Sequence, residues 1–161
     1  MNANVQKALE NIDITYDNLI QIANDIIRSL TQEIDDLIAP VYDNVENLTN
    51  EDLRGLIMKL SLKSYMFSET KEKSLFKAEL AETLRKEMYA TQFNQSEGSV
   101  AVRDNIALLN SSAEFLAEEI HNLVSQLFKT KSDEIHRVVD SAKTVLMARL
   151  SEAKLSSVEV I

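Results

Sequence analysis

The scarcity of glycine and proline is the feature of this sequence that most restricts its fold. The 161 residues include only two glycines and one proline. A sheet of several strands needs a turn after each strand, and such turns place Gly, Pro, Asn or Asp at fixed positions. A bundle of a few long helices needs few breaks of this kind. We therefore predict an all-α fold of four or five helices, an elongated helical bundle or antiparallel hairpin with coiled-coil-like stripes, in a single domain over residues 1–161.

Residues 1–40 have the clearest helical periodicity and are predicted to form one long acidic helix. Their apolar side chains recur at spacings of three and four residues, which is a heptad-like pattern. The stripe consists of Val5, Leu9, Ile12, Tyr16, Leu19, Ala23, Ile26, Leu30, Ile34 and Leu37, and it is widened by Ile20, Ile27 and Ile38. A stripe of this width indicates packing on at least two neighbouring helices. We expect Pro40 to end or kink the helix.

The rest of the chain divides into two further helical segments. Residues 41–50 are predicted to form a connection, with Thr49 or Asn50 capping a basic helical segment over 50–94 that could restart near Ser68. The polar stretch 94–99 contains Gly98 and predicts a loop. A long C-terminal helix is predicted over 100–155, and the sequence leaves open whether Asn110-Ser111-Ser112 divides it in two.

Charge is distributed unevenly along the chain, whose net charge is −9. Residues 1–52 contain two basic and eleven acidic residues, whereas the remaining basic and acidic residues balance. Residues 54–86 contain eight basic residues and four acidic ones. Such asymmetry between segments is a hint about partners.

Several classes of chemical site are disfavoured by the residues present. The chain has no cysteine, which excludes disulfides, thiolate metal sites and a cysteine nucleophile. Glu118-x-x-His121 and Asp133-x-x-His136 have the spacing of di-iron bundle ligands, but both pairs lie on one predicted helix, about 22 Å apart at the helical rise per residue. A single Gly98 cannot form a phosphate-binding glycine loop. We therefore expect no enzyme activity, no metal and no cofactor.

The basic segment admits two interpretations. Its lysines and arginines could neutralise phosphates while Tyr65, Phe67 and Tyr89 stack on bases, which is how proteins bind single-stranded DNA without sequence preference. Alternatively, it is an ordinary solvated face with ion pairs within the helix, such as Glu82 with Lys86. The candidate nucleic-acid-binding residues are Lys71, Lys73, Lys77, Arg85, Lys86, Tyr89 and Arg103.

The acidic first helix also has two interpretations. It is either a face that keeps the protein soluble or a surface that imitates nucleic acid and blocks the basic groove of an enzyme, as anti-CRISPR or anti-restriction proteins do. The candidate partner-binding residues on this helix are Asp25, Asp35 and Asp36.

The segment from residue 60 to residue 150 resembles the small phage recombination mediators of the UvsY type. The resemblance rests on the run Ala78-Glu79-Leu80-Ala81-Glu82-Thr83-Leu84-Arg85-Lys86-Glu87-Met88-Tyr89, the loop around Gly98, the run Val100-Ala101-Val102-Arg103-Asp104-Asn105 and the long helix that follows. It implies a homo-oligomer that binds single-stranded DNA and helps to load a recombinase. The implied contacts are Arg85 and Lys86 to phosphate and Tyr89 to a base.

From these observations we expect a recombination or replication accessory protein that binds single-stranded DNA and a partner protein. The alternatives are an acidic inhibitor of a nucleic-acid enzyme and a helical scaffolding protein. The long apolar stripes indicate a homo-oligomer. The N-terminus has no signal-peptide pattern and no apolar run is long enough to span a membrane, so we expect a cytoplasmic protein, in the host cell if a phage encodes it.

Overall fold

The protein is all-α, as the sequence predicts. The computed structural model describes the backbone of residues 3–158 and the side chains of residues 15 and 17–155. Within that range it contains four α-helices, one short 3₁₀ helix and no strand. The helices are α1 (Ala3–Asn44), the 3₁₀ helix (Val45–Asn47), α2 (Asn50–Gln95), α3 (Val100–Asn110) and α4 (Ser112–Val158).

Side-chain caps fix the starts of α2 and α3. Thr49 and Asp52 form a reciprocal pair, in which the Asp52 amide donates to Thr49 Oγ1 at 3.1 Å and the Thr49 amide donates to Asp52 Oδ2 at 3.0 Å. This satisfies amide groups that have no partner inside the helix. Ser99 caps α3 by accepting from the Val102 amide at 3.4 Å. Just before it, Gly98 has a φ of 112°, a conformation that favours glycine and that makes the turn between α2 and α3.

Several predicted boundaries are wrong or are now resolved. α1 does not end at Pro40 but continues to Asn44, so the predicted connection over 41–50 is shorter than expected. Burial of Ile38 before the proline and a 3.2 Å hydrogen bond from Tyr42 to Glu134 after it help to hold the last turn. α2 is continuous through Ser68.

The C-terminal segment over 100–155, for which the sequence leaves one helix or two open, is two helices. They are separated at Ser111, whose hydroxyl donates to the Leu108 carbonyl at 3.3 Å. The Ser111 hydroxyl therefore forms its hydrogen bond with α3, the helix that precedes it.

The chain divides into two compact units, each made of segments distant in sequence. Unit 1 comprises Met1–Ile27 and Lys71–Leu127, and unit 2 comprises Arg28–Thr70 and Phe128–Ile161. The single domain over residues 1–161 stays a prediction.

Unit 2 has a core of large apolar side chains from α1, α2 and α4. Its fully buried members are Ile34, Ile38, Leu53, Leu60, Phe128 and Ile135. Phe67 and Phe128 meet edge to face, with ring centroids 5.0 Å apart. On α2 the buried residues Leu53, Leu60 and Phe67 are seven apart, which is the heptad spacing of helices packed with knobs in holes. Unit 2 therefore contains the kind of core that holds a helical bundle together.

Most of the buried side chains that the structure describes in unit 1 are small. Among its described residues, the buried ones are Ala23, Ile27, Ser74, Ala78, Ala81, Ala107, Ser111, Val124 and Ser125. Only Ile27 and Val124 in this set are larger than alanine or serine. Since stabilisation by burial scales with apolar area, these described residues contribute less each than the large buried side chains of unit 2.

The buried side of α1 differs from the predicted stripe. Ala23, Ile27, Ile34 and Ile38 are buried, whereas Ile26 and Leu30 of the stripe are exposed. The stripe positions Val5, Leu9, Ile12 and Tyr16 lie outside the side chains that the structure describes. The described residues include no helix that is long and apolar enough to cross a membrane.

Candidate interaction surfaces

Arg85, the leading candidate for a phosphate contact, is engaged within unit 1. Its Nε atom donates to Glu118 Oε2 at 2.9 Å, and its guanidinium carbon lies 5.9 Å from the centroid of the Phe115 ring. A hydrogen-bonded guanidinium–carboxylate pair is among the stronger polar contacts in proteins. Arg85 therefore ties α2 to α4.

Tyr89 and Arg103 are also engaged, on the two sides of the loop between α2 and α3. The Tyr89 hydroxyl donates to Asp104 Oδ1, and this bond, with partial burial and the charge of Asp104, raises the pKa of Tyr89. Arg103 Nε donates to the Phe93 carbonyl at 2.8 Å, and its guanidinium carbon lies 4.2 Å from the centroid of the Phe93 ring. These contacts position α3 against the end of α2.

The remaining basic candidates lie on the surface of α2. Lys86 pairs with Glu82 at 2.6 Å, as the alternative interpretation expects, and Lys71 pairs with Glu72 at 3.4 Å. Lys73 and Lys77 are exposed. The seven candidates thus divide into three that make contacts between helices, two in local ion pairs, and Lys73 and Lys77.

The acidic candidates on α1 have different surroundings. Asp35 binds Lys131 of α4, with Oδ1 2.5 Å from Nζ, so it is used within unit 2. Asp36 accepts from Gln32 Nε2 at 3.3 Å and lines a groove described below. Asp25 is exposed in unit 1.

Both histidines lie beside serines of α2. Ser64 Oγ is 3.1 Å from His136 Nε2 in unit 2, and Ser74 Oγ donates to the His121 carbonyl at 3.0 Å in unit 1. Burial, with a smaller contribution from the charge of Lys77, lowers the pKa of His121. No group of three or more potential metal ligands occurs in the part of the chain that was described.

A row of large apolar side chains lies exposed on α2 in unit 1, and we call it the α2 apolar row. Phe76, Leu80, Leu84 and Met88 follow one another every four residues, and their exposed fractions are 66%, 49%, 48% and 37%. Residues four apart are neighbours on a helix surface. Glu72 and Glu79 border one side of the row, and Lys73 and Lys77 border the other, by the 100° turn per residue. These four residues form an apolar stripe in the sequence, but the sequence does not show that the stripe is exposed, because α2 carries apolar residues on two opposite faces.

A groove of about 320 Å³ lies in unit 2, and we call it the Gly55 groove. Its apolar wall is formed by Leu37, Pro40, Leu48 and Leu56. Its charged lining consists of Asp36, Glu51, Asp52 and Lys59. Hydrogen bonds from the Thr49 side chain and backbone lower the pKa of Asp52, which favours its ionised form. The groove combines an apolar surface with an excess of negative charge.

Gly55 has no packing reason to be glycine. It lies within α2, where glycine costs roughly 0.5–1 kcal/mol relative to alanine. A Cβ built at this position meets nothing within 4 Å. The missing side chain therefore enlarges the groove without relieving any contact inside the protein.

Comparisons with models of protein families, with curated proteins and with solved structures find no match to this chain.

Proposed function

We propose that this protein is a self-associating helical binding protein without catalytic activity, and that the α2 apolar row joins two copies. The proposal rests on one observation, which is that small side chains are buried and large apolar side chains are exposed among the described residues of unit 1. Its buried described residues are mostly alanine and serine, while twelve large apolar side chains are more than one-third exposed. They are Ile22, Ile26, Phe76, Leu80, Leu84, Met88, Val100, Val102, Leu108, Leu109, Phe115 and Leu116.

A row of four neighbouring, exposed, large apolar side chains on one helix favours an interface. Monomeric soluble proteins rarely expose large contiguous apolar patches. The α2 apolar row gives a helix the side chains that pack in helix–helix contacts, and burying them against another protein would remove their apolar area from water.

The charges beside the row favour a second copy as the occupant. The acidic side holds Glu72 and Glu79, and the basic side holds Lys73 and Lys77. When two copies of α2 lie parallel about a two-fold axis, the acidic side of each faces the basic side of the other. One apolar surface is then complementary to itself in charge.

The mass of the protein in solution tests this proposal. Light scattering across a series of micromolar concentrations should give at least twice 18.2 kDa for the wild type. The double variant Leu80→Glu with Leu84→Glu should give a single copy, because four charges would be buried in each pair of copies. A wild type that stays a single copy at every concentration would overturn the proposal.

The matched control changes the same helix in unit 2. Met58→Glu with Leu62→Glu introduces the same charges at exposed positions of α2. This variant should assemble like the wild type, and circular dichroism should show equal helicity for all three proteins. Dissociation of the control would move the interface away from the α2 apolar row.

Single-stranded DNA binding is a second candidate function, and one observation favours it. Phe76 is exposed between Lys73 and Lys77, and an exposed aromatic ring beside lysines is the combination that binds bases and phosphates. Fluorescence anisotropy of a labelled oligonucleotide should then show binding that weakens with salt and is lost in Lys73→Glu with Lys77→Glu. Lys86→Glu, which reverses an exposed charge elsewhere on α2, is the control. Absence of binding at low salt would reject this candidate and, with it, the recombination-mediator activity.

A further inference from the structure

We propose that the Gly55 groove binds a basic segment of a partner protein, with the aliphatic stem of an arginine or lysine along its apolar wall and the cationic head among Asp36, Glu51 and Asp52. This inference goes beyond self-association, because the groove lies in unit 2 and shares no residue with the α2 apolar row.

The residue at position 55 leaves space in the groove because it is glycine. Alanine and leucine are better helix formers than glycine, and nothing in the protein would touch their side chains at position 55. Glycine is useful where another backbone or ligand approaches a helix closely. The open space above Gly55 is therefore suited to a group from outside the chain.

The apolar wall of the groove suits the methylene stem of a lysine or arginine side chain. Leu37, Leu48 and Leu56 provide apolar surface within a groove of about 320 Å³, which is the lower end of the volume range of ligand sites. Lysine and arginine bury their methylene stems on such surfaces and keep their charged ends among polar groups.

The charged lining of the groove favours a cationic ligand. Three carboxylates line the groove against the single cation Lys59. Pro40 has no amide hydrogen, so the Asp36 carbonyl four residues earlier lacks its usual helical donor and can accept a hydrogen bond from another group. Residues 28–52 of unit 2 contain seven acidic residues and one basic residue, and this excess of negative charge attracts a segment with several positive charges more strongly than a single cation.

The test uses a fluorescein-labelled peptide of alternating arginine and leucine, titrated into the full-length protein while anisotropy is measured. The wild type should bind it saturably, and a peptide of alternating glutamate and leucine should not bind. Gly55→Leu should weaken binding by about tenfold or more, because its side chain occupies the groove. Asp36→Asn with Glu51→Gln should weaken binding while keeping the shape of the groove.

Ser61→Leu is the matched control for Gly55→Leu, since it adds the same side chain at another exposed position of α2 in unit 2. It should bind like the wild type, and thermal melts should show that both leucine variants are folded. Failure of the wild type to bind the peptide, or equal affinity of Gly55→Leu and wild type, would overturn the proposal.

Two further measurements separate this proposal from others. Argininamide alone should bind far more weakly than the peptide, and equal affinity would mean that the groove takes a small cation, which would overturn the assignment to a protein segment. The variant Leu80→Glu with Leu84→Glu should keep full affinity for the peptide, whatever its oligomeric state. Loss of peptide binding in that variant would place the peptide on the α2 apolar row and overturn the assignment to the groove.

Discussion

The Nζ atom of Lys131 lies 2.5 Å from Oδ1 of Asp35, which joins α4 to α1 in unit 2. The same ammonium group lies 2.6 Å from Glu134 Oε2. Lys131 is only 17% exposed, because it lies four residues from Leu127 and four from Ile135 on the apolar stripe of α4. Two carboxylates thus compensate for the cost of placing a cation beside the core. They outweigh its burial, and the pKa of Lys131 is raised.

Replacing Lys131 with alanine should destabilise the protein more than removing an exposed cation on the same helix. Lys131→Ala should lower the free energy of unfolding by about 1.5–3 kcal/mol, the usual worth of hydrogen bonds to charged groups. Lys143, which lies 3.6 Å from Asp140 and is exposed, is the control, and Lys143→Ala should cost under about 0.5 kcal/mol. Urea unfolding followed by circular dichroism measures both. Equal effects would contradict the structural role of Lys131.

Replacing Arg85 with alanine should lower the free energy of unfolding more than replacing its neighbour Lys86. Arg85→Ala removes the contacts with Glu118 and Phe115 and should cost about 1–2 kcal/mol. Lys86→Ala removes only an exposed pair with Glu82 and should cost about 0–0.5 kcal/mol. Urea midpoints would report the difference. If neither variant is destabilised, Arg85 would be available for the phosphate contact that its sequence context suggests.

Gly55→Ala should stabilise the protein. The added methyl group contacts nothing, and alanine favours the helix over the unfolded chain by roughly 0.5–1 kcal/mol. Differential scanning calorimetry should therefore show a higher Tm. Gly98→Ala is an instructive comparison, because its φ of 112° and the close approach of Val102 predict the opposite sign. A lower Tm for Gly55→Ala would mean that position 55 has a contact or strain that the present structure does not contain.

His121 should make stability depend on pH. Its pKa is lowered in the folded protein, so the unfolded chain binds a proton more readily. The contribution is favourable above the ordinary histidine pKa of about 6.5 and is lost as the pH falls through 6.5 towards the lower folded-state pKa. His121→Gln should reduce the loss of unfolding free energy over this window, as measured by urea titrations, and His136→Gln serves as the other-histidine control. An unchanged pH dependence in His121→Gln would contradict this assignment.

Local signals in the sequence predicted the helices and some of their ends, but they did not predict which groups pair across the fold. The scarcity of glycine and proline, the cap at Thr49 and the loop at Gly98 act over a few residues and can be read from the sequence. The helix passes Pro40 because contacts from distant segments outweigh a local penalty. The same holds for Lys131 and Arg85, whose partners lie 96 and 33 residues away along the chain.

The exposure of the α2 apolar row and the presence of the Gly55 groove could not be predicted, for a related reason. α2 has apolar residues on opposite faces, and periodicity alone cannot decide which face is buried. In unit 2 the buried face holds Leu60 and Phe67 while Met58 and Leu62 are exposed. The groove at Gly55 depends on an absent side chain and on Leu37 and Leu48, which lie on different segments, so its lining could not be assembled from a linear pattern.

The small size of the described buried side chains in unit 1 has a thermodynamic consequence. Ala78 and Ala81 bury little apolar area, so a partner that covers the exposed α2 apolar row would add to the stability of the folded unit. Ligation of the folded state alone stabilises it by mass action. Under the proposed self-association, the melting temperature of this unit should therefore rise with protein concentration and fall on dilution.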